Sequence, residues 1–154
     1  MQWNYPNGAT YALIAEDKRS FFYETGQIKT VEEYRNGKLH GEVFLFWPNG
    51  QLKRTSQFSD GYRNGEDRIW NEEGQLLDEG TYEKGIPIGI HRRWSCKGVL
   101  IEELFFLENG KYNFKRWNEK GELREEGLYS DSGYLERKWD SEQNIWVEKR
   151  IDGC

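Results

Sequence analysis

The segment Trp47-Pro48-Asn49-Gly50-Gln51-Leu52 decides the fold. It joins two runs, 42–47 and 51–58, that we interpret as strands: residues 43–47 are all apolar, and the second run carries Leu52 and Phe58. Asn-Gly between two such runs is a strong hairpin signal, because a type I′ turn requires positive φ at both of its central residues. The segment therefore predicts a β-hairpin that turns at Asn49-Gly50 and places Trp47 opposite Leu52.

The glycine of this segment recurs at an almost constant spacing of 24, 24, 24 and 23 residues. An aromatic residue lies three or four positions before each glycine. An aliphatic residue follows two positions after the glycine, and another aromatic residue follows eight positions after it. The glycines are Gly26, Gly50, Gly74, Gly98 and Gly121; the preceding rings are Tyr23, Trp47, Trp70, Trp94 and Trp117; the aliphatic residues are Ile28, Leu52, Leu76, Leu100 and Leu123; the following rings are Tyr34, Phe58, Tyr82, Phe106 and Tyr129. This fixed period predicts a repeat protein. With three loop residues in the later repeats, we expect Trp70 to face Leu76, Trp94 to face Leu100 and Trp117 to face Leu123.

The spacing within a repeat predicts how the side chains divide between the faces of a sheet. The aliphatic residue and the following ring are six positions apart, an even number, so we expect both on one face, called face one. The opposite face two is expected to be mostly charged. Small residues at Ser56, Gly80 and Gly127 should leave room on face one for neighbouring rings. The predicted fold is all-β: an elongated, twisted, single-layer antiparallel sheet of repeated β-hairpins.

We predict that one array spans residues 1–154. A shortened capping unit covers residues 1–20, and a degenerate repeat, in which Trp139 and Ile145 stand six apart, covers 134–154. A second glycine closes each of the five repeats between them, at Gly37, Gly61, Gly85, Gly110 and Gly133. The five predicted repeats are 21–41, 42–65, 66–89, 90–110 and 111–133.

Composition excludes several classes of protein. The chain has 22 Lys and Arg against 27 Asp and Glu, a net charge of −5, whereas nucleic-acid binding requires a basic surface. Seven Trp, nine Tyr and eight Phe argue against intrinsic disorder. Two distant cysteines, Cys96 and Cys154, form no disulfide framework, so we expect a reducing, cytoplasmic location. We expect neither a signal peptide nor insertion into a membrane.

The repeat resembles a known family. The segments Tyr34-Arg35-Asn36-Gly37-Lys38-Leu39-His40-Gly41 and Gly80-Thr81-Tyr82-Glu83-Lys84-Gly85, together with the hairpin segment, resemble MORN repeats, and more closely their bacterial variant. The similarity is good over about residues 20–133 and weak over 134–154. Only Gly41 keeps the family's preceding histidine.

Bacterial proteins built wholly of such repeats are similar to antitoxins or immunity proteins of secreted toxins. The resemblance therefore implies a non-enzymatic, cofactor-free protein that neutralises a cognate toxin by steric binding. Two alternatives stay open: a structural module that self-associates through its exposed sheet edges or its ring-rich face, and, less favoured because of the negative charge, a peripheral phospholipid-binding module.

The residues expected to bind the partner are aromatic residues outside the repeat register, because exposed rings are preferred anchors of interfaces. By strand parity they are assigned to face two. These candidates are Phe22, Phe44, Phe46, Phe105, Phe114 and Trp146. The recurring Trp47, Trp70, Trp94 and Trp117 are interpreted instead as structural residues.

Acidic residues offer a further contact, because a negative surface would steer a basic toxin towards the sheet. A solvated surface is the alternative interpretation. The residues concerned are Glu72, Glu73, Asp78, Glu79, Glu102, Glu103, Glu119, Glu122, Glu125 and Glu126.

No catalytic or metal site is predicted. His40 and His91 are the two histidines, and neither has a second ligand at a metal-binding spacing. A nucleophile activated by histidine is improbable for the same reason.

Overall fold

The computed structural model describes residues 1–108, 110–130 and 133–152; Gly153 and Cys154, which the sequence places in the last repeat, lie outside the described residues. The chain divides into two compact units, Met1–Ile86 and Pro87–Cys154. The described residues contain 14 strands and no helix. The predicted all-β architecture is confirmed.

In the first unit the strands follow one another in chain order, and each is antiparallel to the next. This arrangement is a single layer of consecutive hairpins, as predicted. The strands are β1 (Gln2–Asn4), β2 (Thr10–Ile14), β3 (Lys18–Phe22), β4 (Ile28–Arg35), β5 (Lys38–Phe46), β6 (Leu52–Ser59), β7 (Tyr62–Trp70) and β8 (Leu76–Glu83).

The second unit repeats this arrangement, again with antiparallel neighbours in chain order. Its first strand, β9, begins at the last residue of the first unit. The strands are β9 (Ile86–Trp94), β10 (Leu100–Phe106), β11 (Tyr112–Trp117), β12 (Leu123–Ser130), β13 (Gly133–Asp140) and β14 (Ile145–Asp152).

The turn at Asn49-Gly50 differs from the predicted type I′ turn. Gly50 has a positive φ of 87°, but Asn49 is not among the residues with positive φ. The Trp47 N–H donates to the Gln51 carbonyl at 2.8 Å, and the Gly50 N–H donates to the Trp47 carbonyl at 2.9 Å. The loop therefore has three residues, with glycine in the left-handed region at its end.

Type I′ turns occur instead at the second set of glycines. Asn36-Gly37 has φ values of 50° and 76°, Asp60-Gly61 has 51° and 91°, and Lys84-Gly85 has 50° and 84°. Positive φ at both central residues is the geometry that two-residue hairpins favour. In the first unit the two sets of glycines thus mark two kinds of turn. Gly110 of the second set instead closes a three-residue loop, in which the Leu107 N–H donates to the Lys111 carbonyl at 2.8 Å.

An extra residue in the strand that follows the loop at Gly50 changes the predicted pairing of this hairpin. Arg54 pairs with Leu45, but Leu52 pairs with Phe46, so Lys53 has no partner and forms a β-bulge. Trp47 therefore does not lie opposite Leu52. The corresponding extra residues of the other hairpins are Tyr11, Lys29, Leu77, Ile101 and Arg124.

The bulge also moves the aliphatic residue to the other face. Alternation of side chains is interrupted at an extra residue, so Leu52 and Phe58 lie on opposite faces although six positions separate them. The expectation that both lie on face one is wrong. We keep the name face one for the face of the following ring, which also carries Val43, Ser56 and Asp67 in the first unit.

The degenerate repeat has a different register from the predicted one. Trp139 pairs with Trp146, and Ile145 pairs with Asp140. By sequence, Gln143 takes the place of the hairpin glycine, but the residue with positive φ is Asn144, at 54°. Trp146 thus takes the place that an aliphatic residue occupies in the other repeats.

Face one of the first unit has a polar centre. Val43, Ser56 and Asp67 are 7%, 4% and 4% exposed and lie side by side on neighbouring strands. The Asp67 carboxylate accepts hydrogen bonds from Arg54 Nη2 at 2.8 Å and Ser56 Oγ at 2.9 Å. A buried carboxylate is stable only when it is paired in this way.

Aromatic side chains tie consecutive hairpins together. Tyr5 Oη donates to the Phe22 carbonyl at 2.9 Å, Tyr23 Oη donates to the Phe46 carbonyl at 2.8 Å, and Trp47 Nε1 donates to the Trp70 carbonyl at 3.0 Å. Each bond joins one loop to the strand that precedes the next loop. The predicted structural role of Trp47 therefore has a specific physical basis.

Gly65 marks a second irregularity, where the backbone of β7 bends. Its φ of +121° lies in a region that residues with a side chain rarely adopt, and an added Cβ would collide with Gln57 Oε1. That oxygen accepts a hydrogen bond from the Glu66 N–H at 3.0 Å. Glycine is required here because the Gln57 side chain fills the space of a Cβ.

We expect Gly65→Ala to lower the free energy of unfolding by roughly 3 kcal/mol, because backbone strain and the collision with Gln57 add together. Gly50→Ala is the matched control, since Gly50 also has positive φ, +87°, but a Cβ added there would meet nothing within 4 Å. We expect it to cost roughly 1–2 kcal/mol. Urea unfolding followed by tryptophan fluorescence measures both, and equal losses would contradict this account of Gly65.

Candidate functional site

The six candidate rings do not form one site. Phe22 pairs with Ile28 and Phe46 pairs with Leu52, as Trp70 pairs with Leu76 in the next hairpin. Phe22 and Phe46 therefore occupy the last paired position before a loop, which is a regular position of the repeat. Their face-two assignment agrees with the pairing, but they are not outside the structural register.

Phe44 is the unusual ring of the first unit. It lies two residues before Phe46, on face two, between Val31 on β4 and Thr55 on β6. The residues two positions before the other last paired rings are Ser20, Arg68, Arg92, Lys115 and Arg137. Phe44 is thus an aromatic residue at a position that four other repeats fill with a basic residue.

An apolar cluster on face two of the first unit, which we call the phenylalanine patch, surrounds Phe44. Its six side chains belong to four consecutive strands and are all half-buried. The ring centroids of Phe44 and Phe46 are 6.5 Å apart, with 27° between the ring planes. The patch consists of Phe22, Ile28, Val31, Phe44, Phe46 and Leu52.

Phe105 lies on face two of the second unit and is 44% exposed. It pairs with Ile90, 41% exposed, and with Asn113. A shallow depression of about 180 Å³ lies between Phe105 and Leu128 and is also lined by Glu103 and Lys115. Because Leu128 is 37% exposed, this depression is open and largely apolar.

Phe114 lies on face one, so its assignment to face two is wrong. It is 8% exposed and pairs with Leu104 and Gly127. The Phe114 ring occupies the space that a Cβ on Gly127 would need. The space over Gly127 was expected to hold a ring of the next repeat; it holds the Phe114 ring of the same repeat together with the hydroxyl of Tyr134 from the next one.

Trp146 packs against a neighbour of its own repeat. Its ring lies 5.6 Å from that of Trp139, and the Arg137 guanidinium lies 5.2 Å from the Trp146 ring centroid. Trp146 is half-buried.

The acidic residues of the second unit do not form an unpaired negative surface. Glu102 binds Arg116 at 2.7 Å and Glu103 binds Arg92 at 3.0 Å; Glu125 binds Arg116 at 2.9 Å. The hydrogen bonds that Arg116 donates to the Glu102 and Glu125 carboxylates raise the pKa of Arg116. Glu119 binds Lys97 at 2.6 Å, and Glu126 pairs with Arg137. These contacts neutralise much of the charge that the sequence offered for steering a basic partner.

The histidines take part in ordinary structural contacts. His40 Nδ1 accepts a hydrogen bond from the Asp60 N–H at 3.3 Å, which holds the following type I′ turn. The His91 ring lies 4.8 Å from that of Phe106. Within residues 1–108, 110–130 and 133–152, no three His, Cys, Asp or Glu side chains are grouped as metal ligands.

Comparison with protein families matches two segments, 18–38 and 39–60, each to a family described as MORN repeat variant. Over these residues the chain resembles MORN-repeat proteins. The first segment covers hairpin β3–β4 and the second covers β5–β6, so the phenylalanine patch lies within the matched residues. MORN repeats are typically non-catalytic and occur in protein-binding or membrane-associated repeat modules.

Comparison with curated proteins gives no match. In the part of the chain that the structure describes, no helix has the length and hydrophobicity needed to span a bilayer.

The second unit offers a direct test of the two faces. Phe114→Ala should lower the free energy of unfolding by roughly 3–4 kcal/mol, because it leaves a cavity over Gly127. Phe105→Ala, the matched control, should cost less than about 1 kcal/mol, because Phe105 is largely exposed. Thermal unfolding followed by circular dichroism compares them; a larger loss for Phe105 would reverse the assignment of faces.

Proposed function

We propose that this chain is a non-enzymatic protein-binding module that acts as a bacterial antitoxin or immunity protein. The observation that carries the proposal is the phenylalanine patch. The matched MORN repeats support a binding role in general, and the resemblance to immunity proteins supplies the class of partner. The location proposed for this activity is the cytoplasm, where a toxin would otherwise act.

The patch has the features of an interface centre. Two phenylalanines lie in contact on one strand, with aliphatic side chains on both sides, and no charged side chain interrupts the six residues. Interfaces obtain most of their affinity from a few such aromatic anchors. Since the strands of a sheet hold these rings in place before binding, little conformational entropy is lost on association.

The position of Phe44 adds a second argument. A basic residue at this position forms cross-strand charge pairs elsewhere, as Arg92 does with Glu103. Replacing it by phenylalanine removes a charge pair and leaves an apolar ring half-exposed, which gives the isolated sheet no evident advantage. A partner that covers the ring explains why this repeat departs from the others.

The mechanism we propose is steric. A toxin whose active site or substrate path lies against the patch would be blocked by the sheet without any chemical change. Such a mechanism requires no cofactor, and the partner needs an apolar surface rather than a strongly basic one.

Phe44→Arg tests this proposal, because arginine is the residue that Arg68 and Arg92 place at the same position of the repeat. The fold should therefore tolerate it, while a charge in the centre of the patch should weaken toxin binding at least tenfold, roughly 1.4 kcal/mol. The measurement is growth on co-expression with the toxic product of the adjacent gene, together with calorimetric titration of the two proteins.

The control is Tyr62→Arg, which adds the same charge at a residue that is 62% exposed and lies outside the patch. We expect it to protect like the unmodified chain. Full protection by Phe44→Arg would show that the patch is not the interface. Absence of any complex between the unmodified chain and the toxin would refute the antitoxin role itself.

A further inference from the structure

Face two of the second unit carries a row of six charged residues that alternate in sign. Each is the cross-strand partner of the next, so the row crosses all six strands from β9 to β14. We call it the charged row. Its members, in order, are Arg92, Glu103, Lys115, Glu126, Arg137 and Glu148.

An even number of alternating charges is complementary to itself. From Arg92 to Glu148 the signs begin with positive and alternate. From Glu148 to Arg92 they begin with negative, so each position has the opposite sign in the two directions. A second copy, turned by a two-fold axis that runs parallel to the strands between β11 and β12, therefore brings Arg92 opposite Glu148 and Lys115 opposite Glu126. We propose that the second unit binds a second copy of this chain through face two in this orientation.

Apolar residues flank the charged row on both sides. On one side lie Trp94, Leu100, Trp117, Leu123, Trp139 and Trp146, the paired residues next to the loops. On the other side lie Ile90, Phe105, Leu128 and Leu135, in a row that also contains Asn113 and Arg150. The same two-fold axis sets Phe105 against Leu135 of the second copy and Leu128 against Asn113, so the open depression beside Phe105 is covered.

Burial of the row is feasible because four of its six charges are already paired with each other within the sheet, and Glu148 is paired with Arg150. Arg92 Nε lies 3.0 Å from Glu103 Oε2, and Arg137 pairs with Glu126, which is only 5% exposed. Charges that are partly neutralised and partly desolvated lose less hydration on association than isolated ones. The second copy then adds an opposite charge above each member.

The size of the surface is sufficient for a weak, specific dimer. Six strands at about 4.8 Å and about six residues at 3.3 Å give a face of roughly 600 Å² per copy, or roughly 1,200 Å² in total. This is the lower limit of stable interfaces, so we expect a dissociation constant in the micromolar range. The row has no net charge, and a strongly basic or acidic partner would therefore gain little from it.

The corresponding row of the first unit lacks this property. Its members are Ser20, Val31, Phe44, Thr55, Arg68 and Glu79, of which two are charged. Self-association is therefore assigned to the second unit, and the inference does not depend on the proposed antitoxin role of the first.

Charge reversal at the two ends of the row tests the orientation. Arg92→Glu alone and Glu148→Arg alone should each weaken the dimer by tenfold or more, because each creates two like-charge contacts across the axis. The double variant should recover most of the loss. Analytical ultracentrifugation of the full chain over a range of concentrations, with no toxin present, measures the dissociation constants.

The recovery is diagnostic, because Arg92 and Glu148 cannot interact within one chain. They lie on β9 and β14, about 24 Å apart at the usual strand spacing, beyond the screening length of about 8 Å at physiological salt. Additive losses in the double variant would overturn the proposed orientation. A chain that stays monomeric at all concentrations would overturn the dimer.

Phe105→Arg should abolish the dimer, because it places a charge against Leu135 of the second copy. The matched control is Val147→Arg, at a residue that is 51% exposed and lies on the opposite face of the same unit, where it pairs with Lys138. We expect this control to dimerise normally. Loss of the dimer in the control but not in Phe105→Arg would place the interface on face one and refute the proposal.

Discussion

The extra residue that follows the three-residue loops at Gly26, Gly50, Gly74, Gly98 and Gly121 is the constraint on which the rest of the structure depends. At Lys53 it moves the pairing by one position, so that Leu52 faces Phe46 on face two while Arg54 faces Leu45 on face one. The same displacement at Lys29 brings its ammonium group to 5.6 Å from the Tyr23 ring centroid; for Lys53 the distance to Trp47 is 4.1 Å. Leu52 thereby joins the apolar residues of face two, the face on which both proposed binding surfaces lie.

The period, the turns and the pairs Trp70–Leu76, Trp94–Leu100 and Trp117–Leu123 were predicted from sequence, but the register of the Asn49-Gly50 hairpin and the bulges were not. Glycine adopts positive φ without steric cost, so Gly50 and Gly61 both indicate a turn. Nothing in the residue pattern separates a two-residue turn from a three-residue loop, because Asn-Gly occurs in both, as Asn36-Gly37 and Asn49-Gly50 show. The bulge is harder still to predict from the sequence, because it depends on hydrogen bonds between strands rather than on the identity of Lys53.

The candidate site shows the same division. The aromatic residues outside the repeat pattern were chosen as candidates for partner binding. Phe44 and Phe105 lie on face two, whereas Phe114 fills the space over Gly127 on face one. The signal that distinguishes Phe44 is the basic residue at the equivalent position of other repeats, and that equivalence becomes visible only when the bulge is included. The charged row could not be predicted from sequence either. Its six members lie on six different strands and become neighbours only once the register of the strands is known.

The position of the extra residue can be measured directly by nuclear Overhauser spectroscopy. The account predicts contacts between the Leu52 methyl groups and the Phe46 ring, and between the Lys53 methylene groups and the Trp47 indole, whose centroid lies 4.1 Å from Lys53 Nζ. Contacts from Leu52 to the Trp47 indole, with Lys53 directed to the other face, would restore the simple alternation and contradict the assignment of both surfaces.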